Sequence, residues 1–557
     1  TQAPKKSPAA YLSAQNHFQR AEQLRQQHTL KQAIPFYQQA AQLGHAQAQY
    51  QLAEYYVHGQ GVPKDFTQAQ RWYQRAARQG LLEAQQRLGE IFYQQQDYGQ
   101  AEQWFKRIIS QKTTVAKAQY HLGQLHYQGQ GGKTPDQHAA STWFRQAAQN
   151  GLAEAQYQLG IMYATAQGVD YDSAQAKHWL QQAAQHGFVK AQQELWLLYT
   201  DEADQPALTQ LATWVTEAAQ NRQAQARTLL GMMYYTGHGV AQNQAQAAYW
   251  YRQAAHQEYA VAQYNLAYLY AHGEGVVKNQ AEAQYWYRKA AEHDLADAYY
   301  PLAELYYQQQ DFAQAALWYR RAAEELARAE AQYQLAELLY QGRGAVNQDK
   351  AQAAHWYRQA AQQGIAQAQY HLGLMYYNRE GVDYDLAQAE TWFKKAAAQG
   401  VLEAQYNLWL MYQDGQGSQD WRALAQWVRQ AAQQGQVEAQ NFLATLYYLG
   451  RGVDKDLPQA AHWYQQAAQQ GHLTAQYNLA RLYDQGEGVP QDEAQAIQWY
   501  QQVAEQGYDE AQYRLGELYQ QGQGIERNLA QAQHWFAQAA AQGHKRAQQA
   551  LKRLTKE

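Results

Sequence analysis

The chain of 557 residues contains no cysteine. That excludes disulfides and thiolate chemistry, a Cys–His nucleophile included, and most structural zinc sites. An excess of one charge is also missing. Lys and Arg number 45 against 49 Asp and Glu, a formal net charge of −4 with 17% charged residues. No global field therefore draws nucleic acid or acidic lipid to this chain. No apolar run approaches the length of a membrane span. Serine is scarce, which leaves little material for a dispersed Ser–His–Asp site. The 19 His are scattered, and no two hold the i, i+4 spacing with a Glu between them that a zinc hydrolase needs. These absences together predict no enzyme, no metal site and no cofactor.

What is present is a repeat, and its period decides the fold. The stretch from Ala46 to Gly80 recurs in stretches ending at Gly187, Gly364, Gly400, Gly471, Gly507 and Gly543. Apolar residues at Ala48, Leu52, Ala53 and Tyr56 have the spacing of one helical face. Gly59 and Gly61 end that helix, since glycine tolerates a left-handed C-cap. Val62 is an apolar plug, and Asp65 is placed to accept the free amide protons of a second helix. That helix runs through Ala69, Trp72, Tyr73, Ala76 and Ala77 to Gly80. Each unit is a helical hairpin whose apolar face is too wide to bury alone, so neighbours must stack. The G-x-G motifs lie between two helices rather than after a strand, which makes them turns and not a nucleotide fingerprint. The abundant Gln falls between regularly spaced anchors and reads as neutral helix-forming surface rather than a prion-like tract.

The Trp of the second helix can be followed from Trp72 through Trp104, Trp143, Trp179, Trp214, Trp250, Trp286, Trp318, Trp356, Trp392, Trp427, Trp463 and Trp499 to Trp535, with Phe36 before the first. Most gaps are 35 or 36 residues. Seven residues before each anchor stands Asp or Asn, or Thr29, with Ala207 as the exception. A cap held at a fixed offset marks the helix boundary. The spacing predicts that anchors such as Trp250 are deeply buried between hairpins.

The pattern A-x-A-Q-Y-x-L-G-x-L-Y-x-x-G-x-G-V-x-x-D-x-x-x-A-x-x-W-Y-x-x-A-A-x-x-G resembles the SEL-1-like repeat, a relative of the tetratricopeptide repeat. The resemblance extends from about Tyr11 to Gly543. It implies an all-α, right-handed superhelical solenoid of about fifteen hairpins that binds other proteins, with no conserved catalytic residue to carry over. Some exported members of that family staple each repeat with a disulfide, and this chain departs from them. The family has bacterial members in the envelope, in signalling and in contact with host proteins. The chain opens at Thr1 rather than Met, which fits a removed leader. A periplasmic or secreted location is the expectation, with a cytoplasmic one as the alternative.

Four segments follow. Residues 1–10 have the composition of a flexible linker, and 11–44 read as a divergent capping hairpin. The repeat solenoid fills 45–543, and 544–557 form a polar capping helix. The hairpins of Trp104 and Trp318 lack the glycine loop and shorten the gap to 32 residues. Trp143 to Trp356, Trp179 to Trp392 and Trp214 to Trp427 are each 213 residues apart, which indicates a duplicated six-repeat block at about 72–285 and 286–498. In each block one hairpin places a Trp, Trp196 or Trp409, where other repeats have Gly or Ala, as at Gly160 and Gly373. Tyr becomes Val at Val215 and Val428, and Ala becomes Leu at Leu211 and Leu424. This reads as a volume-conserving repack of the core.

The resemblance to tetratricopeptide units implies that first helices line the concave face. Two residues before the repeat Leu runs a Tyr ladder, including Tyr157, Tyr264 and Tyr370, expected to stack between adjacent repeats. Two residues after it the position is acidic at Glu54, Glu90, Glu304, Glu337 and Glu517, but apolar at Ile161, Leu197, Met232, Tyr268, Leu374 and Leu410. Apolar strips on a polar chain mark partner sites; a register shifted by one position would instead make these residues core. The function that follows is a non-enzymatic scaffold or adaptor, a monomer holding one or more protein partners, elongated or two-headed. Nucleic acid is not expected as a partner. The alternatives are an immunity protein that neutralises an antibacterial toxin, and a regulator of an enzyme.

Overall fold

The first helix of a repeat, Ala46–His58, stops because Gly59 adopts φ 68°, a left-handed backbone that costs glycine little. The chain turns back so that the Asp65 N–H donates to the Tyr56 carbonyl at 3.0 Å. The Asp65 carboxylate then accepts from the Gln68 N–H at 2.9 Å and opens the second helix, Phe66–Arg78. Asp97, Asp136, Asn243, Asp311 and Asp456 cap their helices in the same way. Two positions differ from expectation. Thr29 makes no cap bond, because its hydroxyl donates to the Leu24 carbonyl. Where Ala207 broke the pattern, Asp204 caps instead, accepting from the Ala207 N–H, and the helix Gln205–Gln220 starts earlier.

This hairpin recurs throughout the computed structural model, which describes residues 8–111, 115–132 and 134–554. The described residues form 31 α-helices and one 3-10 turn, without a strand. Within each unit consecutive helices pack on each other in chain order. Two units result, divided between His293 and Asp294, and each is an α/α solenoid of stacked hairpins. The first helix, Pro8–Gln26, opens inside the stretch expected as linker, and residues 1–7 lie outside the described ones. At the other end Lys545–Leu554 takes the place of a first helix.

The Trp anchors do not all lie in the core. Trp250 and Trp72 are only half-buried, whereas the next residue, Tyr73, Phe105, Phe144, Tyr251, Tyr319 or Phe393, is almost wholly enclosed. Deep burial therefore holds at Trp286, Trp318, Trp356, Trp392 and Trp535 but not at Trp72 or Trp250. An indole at that position lies at the margin between helices, where Arg75 can cover Trp72 with its guanidinium 4.7 Å from the ring centre. The enclosed ring needs a small residue opposite: an added Cβ at Gly373 would come 2.7 Å from the Phe393 ring.

One side chain joins three helices. Gln369 is buried in a first helix, and its amide donates to the Ala361 carbonyl at 3.0 Å, in the last turn of the preceding second helix. Its amide oxygen accepts from Gln399 at 2.8 Å, at the end of the following second helix. The same inward bond is made by Gln49, Gln85, Gln156, Gln192, Gln263, Gln405, Gln440, Gln476 and Gln512. Arg227 replaces the Gln in one repeat and reaches Ala219 at 3.0 Å. These Gln are therefore structural, not the neutral surface that composition suggests.

Replacing Gln369 by Leu removes both bonds, leaving the Ala361 carbonyl with only its backbone donors and the Gln399 amide without its acceptor. It is expected to cost roughly 1–3 kcal/mol in denaturant unfolding. The exposed Gln367→Leu, two residues away, should stay within about 0.5 kcal/mol of the parent.

Candidate functional site

The expected strip residues occupy two kinds of surroundings. Leu197 and Leu410 are exposed, at 56% and 37% of their full surface. Ile161, Met232, Tyr268 and Leu374 are half-buried, Ile161 and Met232 against the core around Val215 and Leu374 against that around Val428. The acidic members of that position have an internal role: Glu54, Glu304 and Glu337 accept from the hydroxyls of Tyr73, Tyr319 and Tyr357 at 2.6, 2.5 and 2.5 Å. The change from acid to apolar is thus partly a matter of internal pairing. The Tyr ladder is structural, but its partner is the second helix of its own hairpin rather than the next ladder ring. Tyr264 meets Tyr287 at 5.5 Å and Tyr370 meets Phe393 at 6.0 Å, while Tyr157 rests on Phe188 at 5.3 Å.

In the second unit three successive first helices, Ala366–Asn378, Leu402–Gln413 and Val437–Leu449, enclose a cavity of about 700 Å³. Its walls are aromatic: Tyr370, Tyr406, Trp409 and Phe442. Tyr406 is 52% exposed and stacks on Trp409 at 5.6 Å, and Phe442 stands at 78° to the Trp409 ring, 5.9 Å away. Glu403 and Glu438 lie on its lip, both exposed. Asn441 faces the same space, and its amide oxygen is enclosed without a hydrogen-bond partner. His472 lines the far end; its Nδ1 accepts from the Ala475 N–H at 3.2 Å, and burial lowers its pKa, which favours the neutral ring. Of the nine residues expected at a partner site, only Tyr370 lines this cavity.

Trp409 shows why the sequence missed the rest. Trp196 and Trp409 occupy the same slot of the duplicated block, and Val215 and Val428 make room for them. Trp196 is sealed in the core at 8% exposure, whereas Trp409 is half-buried and forms a cavity wall. The difference lies in two neighbours: the positions of Tyr406 and Phe442 are Gln193 and Leu229 one block earlier. A further signal was the Tyr at 406 itself, which as a ladder residue normally has a ring in its own second helix to rest on. Here that ring is Val428, and Tyr406 turns to Trp409.

Behind the wall, Glu390 holds the loop after Gln413. It accepts from the Tyr412 hydroxyl at 2.9 Å and the Ser418 N–H at 3.0 Å, and from the Ser418 hydroxyl, and pairs with Lys394 at 3.0 Å. Burial alone would raise its pKa, but the Ser418, Lys394 and Tyr412 donors outweigh burial and hold it below the ordinary carboxylate value. Such a group stabilises the fold above the pKa of an unfolded carboxylate, about 4.3, and that contribution fades as pH falls through the folded value. Glu390→Gln should therefore lower stability by roughly 1–3 kcal/mol at pH 7, with the two proteins converging as pH is taken below about 4. Denaturant midpoints across pH measure this.

Among the described residues no three His, Asp or Glu are placed to hold a metal ion, and no helix is long and apolar enough to cross a membrane. His178, His355, His462 and His534 are exposed, each edge-on to the Trp beside it.

The Sel1 repeat profile matches residues 9–45, 46–81, 82–112, 116–152, 153–188, 224–259, 260–295, 296–325, 329–365, 366–401, 437–472, 473–508 and 509–544. It passes over the two hairpins that carry Trp196 and Trp409. Among solved structures, c5321, a protective antigen present in uropathogenic Escherichia coli strains and displaying an SLR fold, is 28% identical with a TM-score of 0.52. That match covers 93% of this chain and 97% of c5321. A Sel1 repeat protein from Oxalobacter formigenes is 25% identical over 68% of this chain and 89% of its own, with a TM-score of 0.25. An uncharacterized protein of Neisseria meningitidis serogroup B, NMB1327, is 30% identical over 153 residues, 28% of this chain and 31% of that one. This chain thus spans about a third of that relative's length. With thirteen matched repeats covering most of its length, the chain belongs to the Sel1 repeat family.

Proposed function

We propose that this protein is a non-enzymatic scaffold whose second unit holds a segment of a partner protein against its first helices. Sel1 repeat proteins generally mediate protein–protein interaction. The observation that carries the finer reading is the aromatic cavity across three consecutive first helices, with Tyr406 half open to solvent. Tyr and Trp bring large contact area with few rotamers to lose, and for that reason they dominate the energetic centres of interfaces. A cavity of about 700 Å³ is within the size of sites that bury a ligand. The surrounding helices are pinned by the buried Gln369 and Gln440, so the walls are set before a partner arrives.

Display of random peptides on the immobilised full chain tests this reading. Enriched peptides are expected to bind at least 30-fold more weakly to Tyr406→Ala, a loss of about 2 kcal/mol typical of an interface hot spot. Tyr406 is exposed enough for that variant to keep its helix content, which circular dichroism checks. Enrichment of peptides that are all indifferent to Tyr406→Ala would place binding elsewhere and end the proposal for this cavity.

A further inference from the structure

Half-exposed rings in this protein commonly have a cation of their own. Arg75 covers Trp72 at 4.7 Å, Arg107 covers Trp104 at 5.5 Å, Arg328 covers Tyr300 at 4.1 Å and Arg451 covers Trp421 at 5.1 Å. The cavity of the second unit departs from that habit. No Lys or Arg is among its lining residues, and among the described residues none covers the Tyr406, Trp409 or Phe442 ring. Two carboxylates stand at its lip instead.

Acids in the first turn of a helix are ordinary here. Glu83, Glu154, Glu330 and Glu510 occupy the same turn of other first helices, where they favour the positive end of the helix dipole. Glu403 and Glu438 share that role but differ in setting. They belong to adjacent first helices, they border one aromatic cavity, and neither is ion-paired among the described residues. Each carries a full negative charge against the half charge of its helix end. The negative faces of the rings and the two carboxylates therefore act in the same sense, and His472, held toward its neutral form, does not oppose them. Phosphate-bearing ligands would meet repulsion from both acids.

We propose that this cavity recognises a cationic side chain, arginine or lysine, presented by an extended polypeptide segment, with Trp409 and Phe442 as the walls and Glu403 and Glu438 as the counter-charges. The proposal rests on the scaffold reading above and adds the chemistry of the partner. The Trp409 and Phe442 rings stand at 78° to each other and both line the cavity, and Tyr406 backs the indole. The cavity is larger than one side chain, so residues flanking the cation have space beside Tyr370 and Leu402.

The displayed peptides decide it. Those sensitive to Tyr406→Ala are expected to carry Arg or Lys at one fixed position. Exchanging that residue for norleucine in a synthetic peptide should weaken binding tenfold or more by fluorescence polarisation. The double variant Glu403→Gln, Glu438→Gln, changed only at two exposed positions, should lose a similar factor for the cationic peptide and show no preference over the norleucine form. Peptides that need Tyr406 but have no fixed cation would overturn this inference and leave the scaffold standing. Unchanged binding of the cationic peptide by the double variant would do the same. A complete absence of Tyr406-dependent peptides would remove both.

Discussion

A buried glutamine amide is the interaction on which the stacking depends. Packing alone would let one hairpin slide on the next, because Ala and Leu contacts have little direction. The amide of Gln369 and its equivalents removes that freedom by spending a donor on the preceding second helix and, at Gln49, Gln369, Gln440 and Gln512, an acceptor on the following one. Enclosed polar groups without partners are costly, so only one register satisfies both ends. The carbonyls it uses belong to last turns of helices, where a backbone N–H just past the helix, as Gly364 for Ala361, takes one lone pair and the glutamine takes the other. One side chain therefore ends one helix and orients the next.

The two odd hairpins relax this arrangement. The outward oxygens of Gln192 and Gln405 have no partner, as is also true of Gln476 in a regular hairpin, so each amide secures only the preceding repeat. The same hairpins place Trp in the close-approach slot and shrink the opposing ring to Val215 or Val428. They are also the two that the Sel1 profile passes over. In the first unit Trp196 fills the gained space and the surface closes. In the second, Tyr406 and Phe442 draw the neighbourhood of Trp409 outward and a cavity remains. A shared departure from the repeat thus gives a sealed core in one copy and an open pocket in the other.

Much of the local structure was legible because it is local. Asp65 caps a helix through an amide three residues away, and Gly59 turns the chain by its own backbone. Periodicity, hairpin boundaries and the family resemblance all rest on such short-range rules. Anchors such as Trp72 and Trp250 were read too deep, although Trp286 and Trp392 are buried as expected. Sequence spacing identifies a large residue on the inner side of a helix, but Trp72 and Tyr73 differ by only about 100° around the axis. Which of them faces the first helix is set by the small residue opposite.

The amino-acid sequence by itself determined the all-helical class, the hairpin unit and its caps, since each is encoded within some 36 residues and repeated. Tertiary structure decided what the repeated polar residues do and where a site opens. Gln369 reads as surface until the helices ending at Ala361 and near Gln399 are brought to either side of it. Trp196 and Trp409 read alike until their neighbours on the next first helix, Leu229 and Phe442, are placed beside them. Both outcomes depend on contacts between helices that are separate in sequence, and there a difference of one ring is enough to close a core or leave it open.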